Sequence, residues 1–371
     1  MKILHVETGR HLYGGALQVK YLMEGLAALG HQNVLLCDAR SPLARTAQAV
    51  ARVVACEVGG DLDVRLAGRL WRVLRRERPD LLHLHSRRGA DLMGGLAGRA
   101  AGVPVVLSRR VDNREPRLFA SLKYALFDHV IAISRGIVAA LEADGVAPER
   151  ISCVPSAVDT DVYRPQRDRA WFAHEFGIAP DEPVIGMVAQ LIPRKGHRHL
   201  LAALPALWAR HPRARVLLLG RGPLAAKLRD DVAARGWQER VRLLGFRDDL
   251  PRLLPCLDVL VHPADTEGLG VSLLQAAACG VPIVASAVGG IPEVVRDNGC
   301  LVPPGDAAAL TQALAAVLDD PAAARRMGER GRWWVEQQFS VPAMVAGNLA
   351  VYRRLLGGAA AVARPGLAAA D

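Results

Sequence analysis

Short apolar segments alternate along the chain with longer segments in which apolar residues recur every three or four positions. The short segments predict buried strands and the longer ones predict helices, because these periods match the two backbones. In the first half the predicted strands are 2–7, 33–37, 81–85, 105–108, 129–133 and 151–154. In the second half they are 184–189, 215–219, 241–244, 259–261, 283–285 and 299–302. Strands that alternate with helices are typical of parallel βαβ units, so the predicted fold class is α/β.

The predicted helices lie between these strands, in two groups. They are 16–29, 62–77, 92–101, 117–127 and 134–143 in the first half, and 199–210, 223–235, 250–254 and 307–318 in the second. The turn-rich polar segment 155–165 separates the halves and predicts a hinge. We therefore predict doubly wound domains over 1–160 and 166–340, a natural count for 371 residues. Residues 321–356 are predicted to be mostly helical, and residues 357–371 predict a disordered tail.

The composition is typical of a globular cytoplasmic protein. Apolar residues make up 51% of the sequence, and no run approaches the ~18 consecutive apolar residues that a membrane span needs. Residues 1–6 predict a buried strand and lack the long apolar region of a signal peptide. The 6 cysteines are scattered without a Cys-x-x-Cys motif, which favours reduced thiols over disulfides.

The sequence is basic, with a formal net charge of +10 that comes mostly from arginine. A compositional bias toward Ala, Arg, Gly and Leu accounts for this charge as well as a function does. Two basic segments nevertheless lie in or next to predicted helices of the first half. One contains Arg65, Arg69, Arg72, Arg75, Arg76 and Arg78, and the other contains Arg109, Arg110, Arg114, Arg117 and Lys123. Basic amphipathic helices are typical of an anionic membrane surface, and nucleic acid is not predicted as a partner because no motif for it is present.

Residues 265–286 carry the most specific chemical pattern in the chain. Glu267 begins a loop with Gly268, Leu269 and Gly270, and a short helix and a buried strand follow. In parallel sheets a ligand lies beyond the carboxyl ends of the strands, at the N-terminus of the next helix. Free N–H groups and the helix dipole favour a phosphate there, while the Glu267 carboxylate can accept hydrogen bonds from hydroxyl groups. This combination predicts a nucleotide sugar as the ligand.

The segment resembles the signature of retaining glycosyltransferase family 4 (glycosyl transferases group 1), in which seven residues separate two Glu. Glu267 occupies the first position and Gln275 the second. The resemblance runs through most of the chain and implies the GT-B fold, with two doubly wound Rossmann-like domains facing each other across a cleft. It also implies that the second domain binds the nucleotide-sugar donor and the first binds the acceptor. The last helix, about 341–356, would return to the first domain.

The resemblance assigns donor contacts to residues of the second domain. In the family the first Glu contacts hydroxyls of the donor sugar, and the second binds the ribose, where Gln275 would be weaker by ~1 kcal/mol. The family also has an Arg, and five residues later a Lys, that bind the donor phosphates. Lys195 matches this lysine, Gln190 occupies the arginine position, and Arg194 could supply the missing charge. Such cations can neutralise a leaving diphosphate without a metal.

Glycine turns next to other strands extend the predicted donor site. Gly14 and Gly15 precede the first helix, and Gly220 and Gly245 end two strands of the second half. Glycine lets the backbone approach a ligand closely, although a flexible turn is the alternative. In the resembled family these turns lie near the donor diphosphate, the nucleotide and the base. Phe246 follows Gly245, and its position is compatible both with stacking on the base and with core or rim packing.

Polar residues at the strand ends of the first domain predict its acceptor site. His83 and His85 share one face of a strand, but no third ligand is evident nearby, so no metal site is predicted. His85 is nearer the strand end and is predicted to reach the cleft. Arg109 and Arg110 end the next strand. Many relatives place a histidine near Arg110, beside the reacting sugar, and an arginine there is suited to an anionic acceptor. Ser134 is predicted to cap the following helix and to face the cleft.

We therefore expect a glycosyltransferase that moves a sugar from a nucleoside diphosphate sugar to an acceptor hydroxyl. UDP is the first expectation for the nucleotide and GDP the second. The resemblance implies retention at the anomeric carbon by a front-face mechanism. The predicted catalytic residues are Glu267, Lys195, Arg194 and Arg110, with no metal and no separate cofactor.

The expected acceptor is a glycan or a lipid-linked molecule, for example in lipopolysaccharide or another envelope glycan. The expected location is the cytoplasm, at the inner face of the cytoplasmic membrane. Two alternatives stay open. One is a degenerate GT-B protein that binds a nucleotide or glycan without transfer, and the other is a GT-B-like nucleotide-sugar epimerase or phosphorylase.

Overall fold

The computed structural model describes residues 1–11, 14–59, 63–86, 89–111 and 115–361. The chain forms two compact units. The first contains Met1–Ile133, Ile137–Pro155 and the segment from Val341 onward, and the second contains Ser134–Gly136 and Ser156–Ser340. Each unit is built on one sheet, and the predicted α/β class is confirmed.

Both sheets are parallel. The first contains β1 (Lys2–Glu7), β2 (Gln32–Asp38), β3 (Arg52–Cys56), β4 (Leu81–Leu84), β5 (Val105–Arg109), β6 (His129–Ala132) and β7 (Ile151–Cys153), in the order β3-β2-β1-β4-β5-β6-β7. The second contains β8 (Val184–Val188), β9 (Arg215–Leu219), β10 (Val241–Gly245), β11 (Val259–His262), β12 (Ile283–Ser286) and β13 (Gly299–Val302), in the order β10-β9-β8-β11-β12-β13. The strand order reverses at β1/β4 and at β8/β11, which are the places where such sheets bind ligands.

Helices cover the sheets. They are α1 (Gly14–Ala28), α2 (Leu43–Thr46), α3 (Val64–Glu77), α4 (Ala90–Ala101), α5 (Arg117–Tyr124), α6 (Arg135–Ala143), α7 (Arg169–Phe176), α8 (His197–Arg210), α9 (Ala225–Ala234), α10 (Leu250–Leu253), α11 (Val271–Ala278), α12 (Ile291–Val294), α13 (Ala307–Asp319), α14 (Pro321–Gln338) and α15 (Val341–Ala361). Of the helices in the described part of the chain, none is both long and apolar enough to cross a membrane.

Three helices of the first unit share one face of its sheet. The connections that contain α3, α4 and α5 run in the same direction across the sheet, and right-handed crossovers therefore place these helices on one side. α3 packs against α4. Arg99 of α4 donates from Nη2 to the carbonyl oxygen of Ala125, just after α5, over 2.9 Å. The outward surfaces of the three helices are therefore neighbours.

The last helix packs into the first unit. α15 lies against α1 at Gly25, where a Cβ atom would stand only 2.4 Å from Val345 Cγ2. The hydroxyl of Tyr352 on α15 is buried and lies 2.5 Å from His83 Nδ1 on β4. Glycine on α1 thus lets the helices approach closely, and a polar contact fixes α15 against the sheet.

The structure differs from the sequence prediction at several places, among them the four-residue helices α2 and α12, which the predicted helices do not include. β3 was not predicted, because it is an edge strand whose residues are partly exposed and lack a clear apolar alternation. α7 was also not predicted. α15 continues through Ala361, past the predicted start of the tail at Gly357, because the alanines there favour helix. The rest of the predicted tail, 362–371, lies outside the described residues.

One apolar core supports the second unit. It joins the central strands of the sheet to α8, α9 and α13, and its fully buried members include Leu204, Val216, Val261, Val284 and Leu314. The central strands are continuous apolar runs, as expected for strands covered on both faces. The loops after β8 and β11 therefore start from rigid supports.

Candidate active site

A buried cluster of charged side chains lies beyond the carboxyl ends of β8 and β11. Lys195, in the loop after β8, forms an ion pair from Nζ to Oε2 of Glu267, in the loop after β11. His262, the last residue of β11, donates from Nε2 to the same oxygen over 2.8 Å. The N–H of Gly268 donates to the other carboxylate oxygen over 3.1 Å. The Lys195 and Glu267 side chains are only 10% and 11% exposed, so each charge helps to compensate the burial of the other.

The environment of the cluster keeps Glu267 ionised. Burial alone would raise the pKa of Glu267, but the hydrogen bond from His262 and the charge of Lys195 outweigh it and hold this pKa well below its usual range. Burial also lowers the pKa of His262, so its imidazole is neutral at pH 7. The cluster can therefore offer a cation to phosphate oxygens and a carboxylate to hydroxyl groups.

Glycine at position 196 brings the two loops together. Gly196 has a φ of +73°, and a Cβ atom there would stand 1.7 Å from the carbonyl oxygen of Pro263. Only glycine allows this approach, because the clash would be with backbone and cannot be relieved by a side-chain rotation. The Lys195 loop thus closes directly onto the Glu267 loop.

The same loop leads into the N-terminus of α11. Gly268, Leu269 and Gly270 are buried, and α11 begins at the next residue, Val271. The first N–H groups of a helix have no intrahelical acceptors, and the helix dipole favours negative charge there. An anion-binding helix end therefore adjoins the Glu267 loop.

The two residues predicted to replace the family arginine have different surroundings. Arg194 is half-buried and donates from Nη1 to the carbonyl oxygen of Thr266 over 3.3 Å. The carbonyl oxygen of Arg194 accepts from Asp265 N over 2.8 Å. Gln190 is exposed. Arg194 is thus attached to the Glu267 loop, whereas no contact fixes the Gln190 side chain among the described residues.

Gly220, Gly245 and Phe246 lie together at the ends of β9 and β10. The N–H of Gly220 donates to the carbonyl oxygen of Gly245 over 2.7 Å. Gly220 has a φ of +142°, and a Cβ atom there would stand 1.9 Å from the carbonyl oxygen of Ala189. Phe246 is 44% exposed, with the Arg221 guanidinium 5.0 Å from its ring centroid. The exposed ring excludes core packing and leaves rim packing or stacking on a ligand.

Gln275 is buried on α11 and has a defined partner. Its Nε2 donates to the hydroxyl of Tyr163 over 2.9 Å. Tyr163 is itself buried and lies within the segment 155–165 that separates the two halves of the chain. The amide is therefore held in place by a residue that the sequence pattern does not connect to it.

His83 and His85 belong to a buried polar network, in which His5 is a third imidazole. The expectation that no third ligand lies near them is therefore wrong, because ligand atoms of the three histidines lie within 4.8 Å of one another. Most of their ring nitrogens already have partners, however, and His85 Nδ1 is the exception among these residues. His5 contacts His85 at 3.0 Å and Asn33 at 3.2 Å, and His83 contacts Ser108 at 2.8 Å.

Burial lowers the pKa of all three histidines, so they are neutral at pH 7. Neutral imidazoles could ligate a metal, but most of their nitrogens already serve hydrogen bonds, including the one from His83 to α15. His85 is 3% exposed and part of this network. The arrangement fits a structural polar core better than a metal centre.

Arg109 and Arg110 have opposite environments. Arg109 is buried and donates from Nη1 to Glu115 Oε1 over 3.0 Å, and Lys123 also binds Glu115. The prediction of a basic surface is wrong for Arg109 and Lys123, because both side chains are buried. Arg110 is half-buried, and its Nε has no hydrogen-bond partner among the described residues. Arg110 Cδ would lie 3.7 Å from a Cβ atom on Gly15, in the first turn of α1.

The remaining predicted residues of the first half are also placed. Gly14 begins α1, and Gly15 is next to it. Ser134 is fully buried and is grouped with the second unit, so its predicted role as an acceptor contact stays a prediction. Arg114 lies outside the described residues.

Sequence reasoning missed two side chains that contact predicted site residues. His262 orients Glu267, and Tyr163 orients Gln275. His262 could have been found, because it directly follows the predicted strand 259–261 and lies five residues before Glu267. Tyr163 carries no such signal, since its partner is 112 residues away.

Comparison with known proteins gives one family match in each half of the chain. Residues 13–162 match the family described as Glycosyltransferase Family 4. Residues 169–334 match the family described as Glycosyl transferases group 1.

Related proteins transfer different sugars. The 2-deoxystreptamine glucosyltransferase of Streptomyces kanamyceticus is 32% identical over 76% of this chain and 80% of that protein. The N-acetyl-alpha-D-glucosaminyl L-malate synthase of Bacillus anthracis is 28% identical over 79% of this chain and 80% of that protein. A GDP-mannose-dependent phosphatidylinositol monomannoside mannosyltransferase of Mycolicibacterium smegmatis is 38% identical over 49% of this chain and 50% of that protein.

Solved structures share the architecture. Anabaena HepE in complex with UDP and glucose superposes with a TM-score of 0.83 at 21% identity, over 95% of this chain and 99% of that one. A glycosyltransferase from Rickettsia africae gives a TM-score of 0.84 at 19% identity, over 96% and 98% of the two chains. These likenesses confirm the predicted GT-B fold with its two Rossmann-like sheets.

Proposed function

Because the chain belongs to the glycosyl transferases group 1 family, also described as glycosyltransferase family 4, we propose that it transfers a sugar from a nucleoside diphosphate sugar to an acceptor hydroxyl. Membership of the family makes it a glycosyl-transferring enzyme. The donor is proposed to be a nucleoside diphosphate sugar because Lys195, Glu267 and His262 form a buried cluster beside the N-terminus of α11.

The cluster can bind both the diphosphate and the sugar of such a donor. In this proposal Lys195 Nζ and the first N–H groups of α11 bind the diphosphate, and Glu267 accepts hydrogen bonds from the sugar hydroxyls. As the bond between the anomeric carbon and the phosphate oxygen breaks, negative charge grows on the diphosphate, and Lys195 stabilises it. His262 keeps the Glu267 carboxylate oriented throughout. Lys195 would then exchange part of its contact with Glu267 for the phosphate.

The finer features of the reaction are also proposals. We propose retention at the anomeric carbon, with the leaving phosphate oxygen taking the proton of the acceptor hydroxyl. Lys195 and Arg194 supply the positive charge that a metal would otherwise bring, so neither a metal nor a separate cofactor is invoked. UDP is the first candidate for the nucleotide of the donor, because HepE was solved with UDP. GDP is the second, because the relative from Mycolicibacterium smegmatis is GDP-mannose-dependent. An envelope glycan is the proposed acceptor class.

Calorimetric titration with UDP, GDP and ADP, each with and without magnesium, tests the donor site. We expect saturable binding of one nucleotide, unchanged by magnesium. The matching nucleotide sugars should then be hydrolysed slowly even without an acceptor. Absence of binding for all three nucleotides would favour the degenerate-protein alternative. Release of an epimerised sugar instead of the nucleotide would favour the epimerase alternative.

A glutamate at position 275 should strengthen nucleotide binding. Gln275→Glu places a carboxylate where the family binds the ribose, and charge-assisted hydrogen bonds should raise nucleotide affinity about fivefold. Tyr163 can donate to this carboxylate, so the local contact is kept. Gln312→Glu, at an exposed position of α13, adds the same charge elsewhere in the unit and should leave the affinity unchanged. Equal or weaker binding by the 275 variant would contradict a ribose contact there.

We propose further that the first unit contacts an anionic membrane through α3, α4 and α5. α3 carries Arg65, Arg69, Arg72, Arg75 and Arg76, and Trp71 on the same helix is 42% exposed, with the Arg75 guanidinium 5.8 Å from its ring. The neighbouring helices expose Leu96, Phe119 and Leu122. Arginines around exposed apolar side chains are suited to an anionic lipid surface.

Co-sedimentation with vesicles tests this contact. Each arginine near an anionic surface contributes about 1 kcal/mol, so Arg65→Glu, Arg72→Glu and Arg75→Glu together should weaken binding to phosphatidylglycerol vesicles more than about 100-fold. Phosphatidylcholine vesicles should bind neither protein. A control with Arg210, Arg213 and Arg325 of the second unit changed to Glu alters the net charge equally and should still bind. Equal loss in both variants would show a general charge effect and not a surface on α3.

A further inference from the structure

We propose that Arg110 is the receptor for an anionic group, a phosphate or carboxylate, on the acceptor substrate. This inference rests on the proposed function, and it specifies the chemical class of the acceptor. Its basis is a half-buried cation whose Nε has no hydrogen-bond partner and which forms no ion pair among the described residues.

The contacts of Arg110 are unlike those of its neighbour in sequence. Arg109 forms an ion pair with Glu115. For Arg110 the structure gives neither a hydrogen bond nor an ion pair among the described residues, and its buried Nε is unsatisfied. A half-buried guanidinium without a counter-ion is costly, because burial removes water that is not replaced. An anionic ligand that binds the guanidinium would offset this cost in free energy.

Of the carboxylates in the described part of the chain, none forms an ion pair with Arg110. Glu7 is the carboxylate with the strongest electrostatic influence on Arg110, but it accepts the N–H of Gly9 over 2.8 Å and forms no ion pair with the arginine. Nearby His83 and His85 are neutral at pH 7. Burial lowers the pKa of Arg110 to about 10, so it remains a cation under physiological conditions.

A buried water could satisfy only part of this group. Arg110 lines a cavity of about 10 Å³ with Gln18, Ser108 and Asn348, which has room for one water molecule. A water there can accept from Nε but brings no charge. The anion must therefore meet the guanidinium from its accessible side, at the carboxyl end of β5 beside the Gly15 turn. The lack of a side chain on Gly15 leaves space next to the Arg110 stem.

The acceptor and the donor diphosphate are two possible sources of the anion, and one experiment separates them. The full-length protein is first saturated with UDP, so that the donor phosphate site is occupied. Inorganic phosphate is then added at constant ionic strength, and thermal unfolding is followed. Wild type, Arg110→Gln, Arg110→Lys and the exposed control Arg45→Gln are compared.

We expect phosphate to raise the Tm of the UDP-saturated wild type and of the Arg45→Gln control. The response should be lost in Arg110→Gln and weakened in Arg110→Lys, which keeps the charge but lacks the planar fork. UDP affinity should change less than about threefold in all variants. Without phosphate, Arg110→Gln should be as stable as wild type or more stable, because it removes an uncompensated cation. A merely structural arginine would give the opposite change in stability.

Three results would overturn the inference. UDP affinity at least about tenfold weaker in Arg110→Gln would assign the arginine to the donor diphosphate. An unchanged phosphate response in that variant, or no response in wild type, would show that Arg110 is not an anion receptor. Failure of wild type to bind UDP is a different result, because it counts against the proposed function, and the phosphate comparison can still be made without nucleotide.

Discussion

Replacing Lys195 with methionine is expected to reduce sugar transfer by about 10²–10³-fold, mainly in kcat, because the cation acts where charge develops in the transition state. Methionine keeps much of the length of the side chain and removes its charge. Lys227→Met is the matched control, since Lys227 is exposed in the same unit and, among the described residues, pairs only with Asp231. Its transfer rate should be that of wild type. Initial rates with the nucleotide sugar that binds in the titration give the comparison.

The ion pair between Lys195 and Glu267 allows catalytic loss to be separated from unfolding. Each single variant, Lys195→Met or Glu267→Gln, removes one charge of a largely buried ion pair and should destabilise the protein by about 3–5 kcal/mol. The double variant removes both charges and should recover most of that stability while remaining inactive. A double variant that regains transfer would show that the cluster is structural and has no catalytic role.

Replacing Gly196 with alanine is expected to destabilise the second unit by at least about 3 kcal/mol, the largest structural effect that we predict for a single methyl group. Two causes add at this position. The φ of +73° disfavours any L-residue, and the new Cβ would lie 1.7 Å from the Pro263 carbonyl oxygen. Relief of the clash requires the loop after β8 to separate from the loop after β11. Lys195 would then lose its ion pair with Glu267, and the affinity for the nucleotide should fall as well.

A second glycine, Gly236, allows the free-energy cost of the left-handed backbone to be measured without a steric clash. Gly236 has a φ of +68°, but a Cβ atom there would meet nothing within 4 Å. Gly236→Ala should therefore cost only the about 1–2 kcal/mol of the left-handed conformation. Denaturant titration of both variants measures the difference. Equal losses of stability would mean that the contact with Pro263 does not hold the loops together.

The sequence was sufficient where one element carries its own signal. The strands β8, β9, β11 and β12 are continuous apolar runs, and their order with the intervening helices indicated a parallel sheet before any contact was known. Lys195 and Glu267 were found because each follows such a strand in a glycine-containing loop. Parallel strands bring these loops to one edge of the sheet.

Contacts that join distant positions could not be predicted in this way. His5 approaches His85 because β1 pairs with β4, and nothing in either local sequence indicates that pairing. Tyr163 reaches Gln275, and Tyr352 reaches His83, across more than 100 residues of chain. The different environments of Arg109 and Arg110 depend on Glu115, whose position follows from the fold and not from the spacing of charges.

The return of α15 to the first unit has a consequence for synthesis. The second unit is nearly continuous in sequence, whereas the first needs α15, which follows the whole of Ser156–Ser340. During translation the surface of α1 at Gly25 and the imidazole of His83 therefore stay uncovered until α15 has left the ribosome. The order of synthesis therefore lets the second unit fold completely before the first unit has received α15.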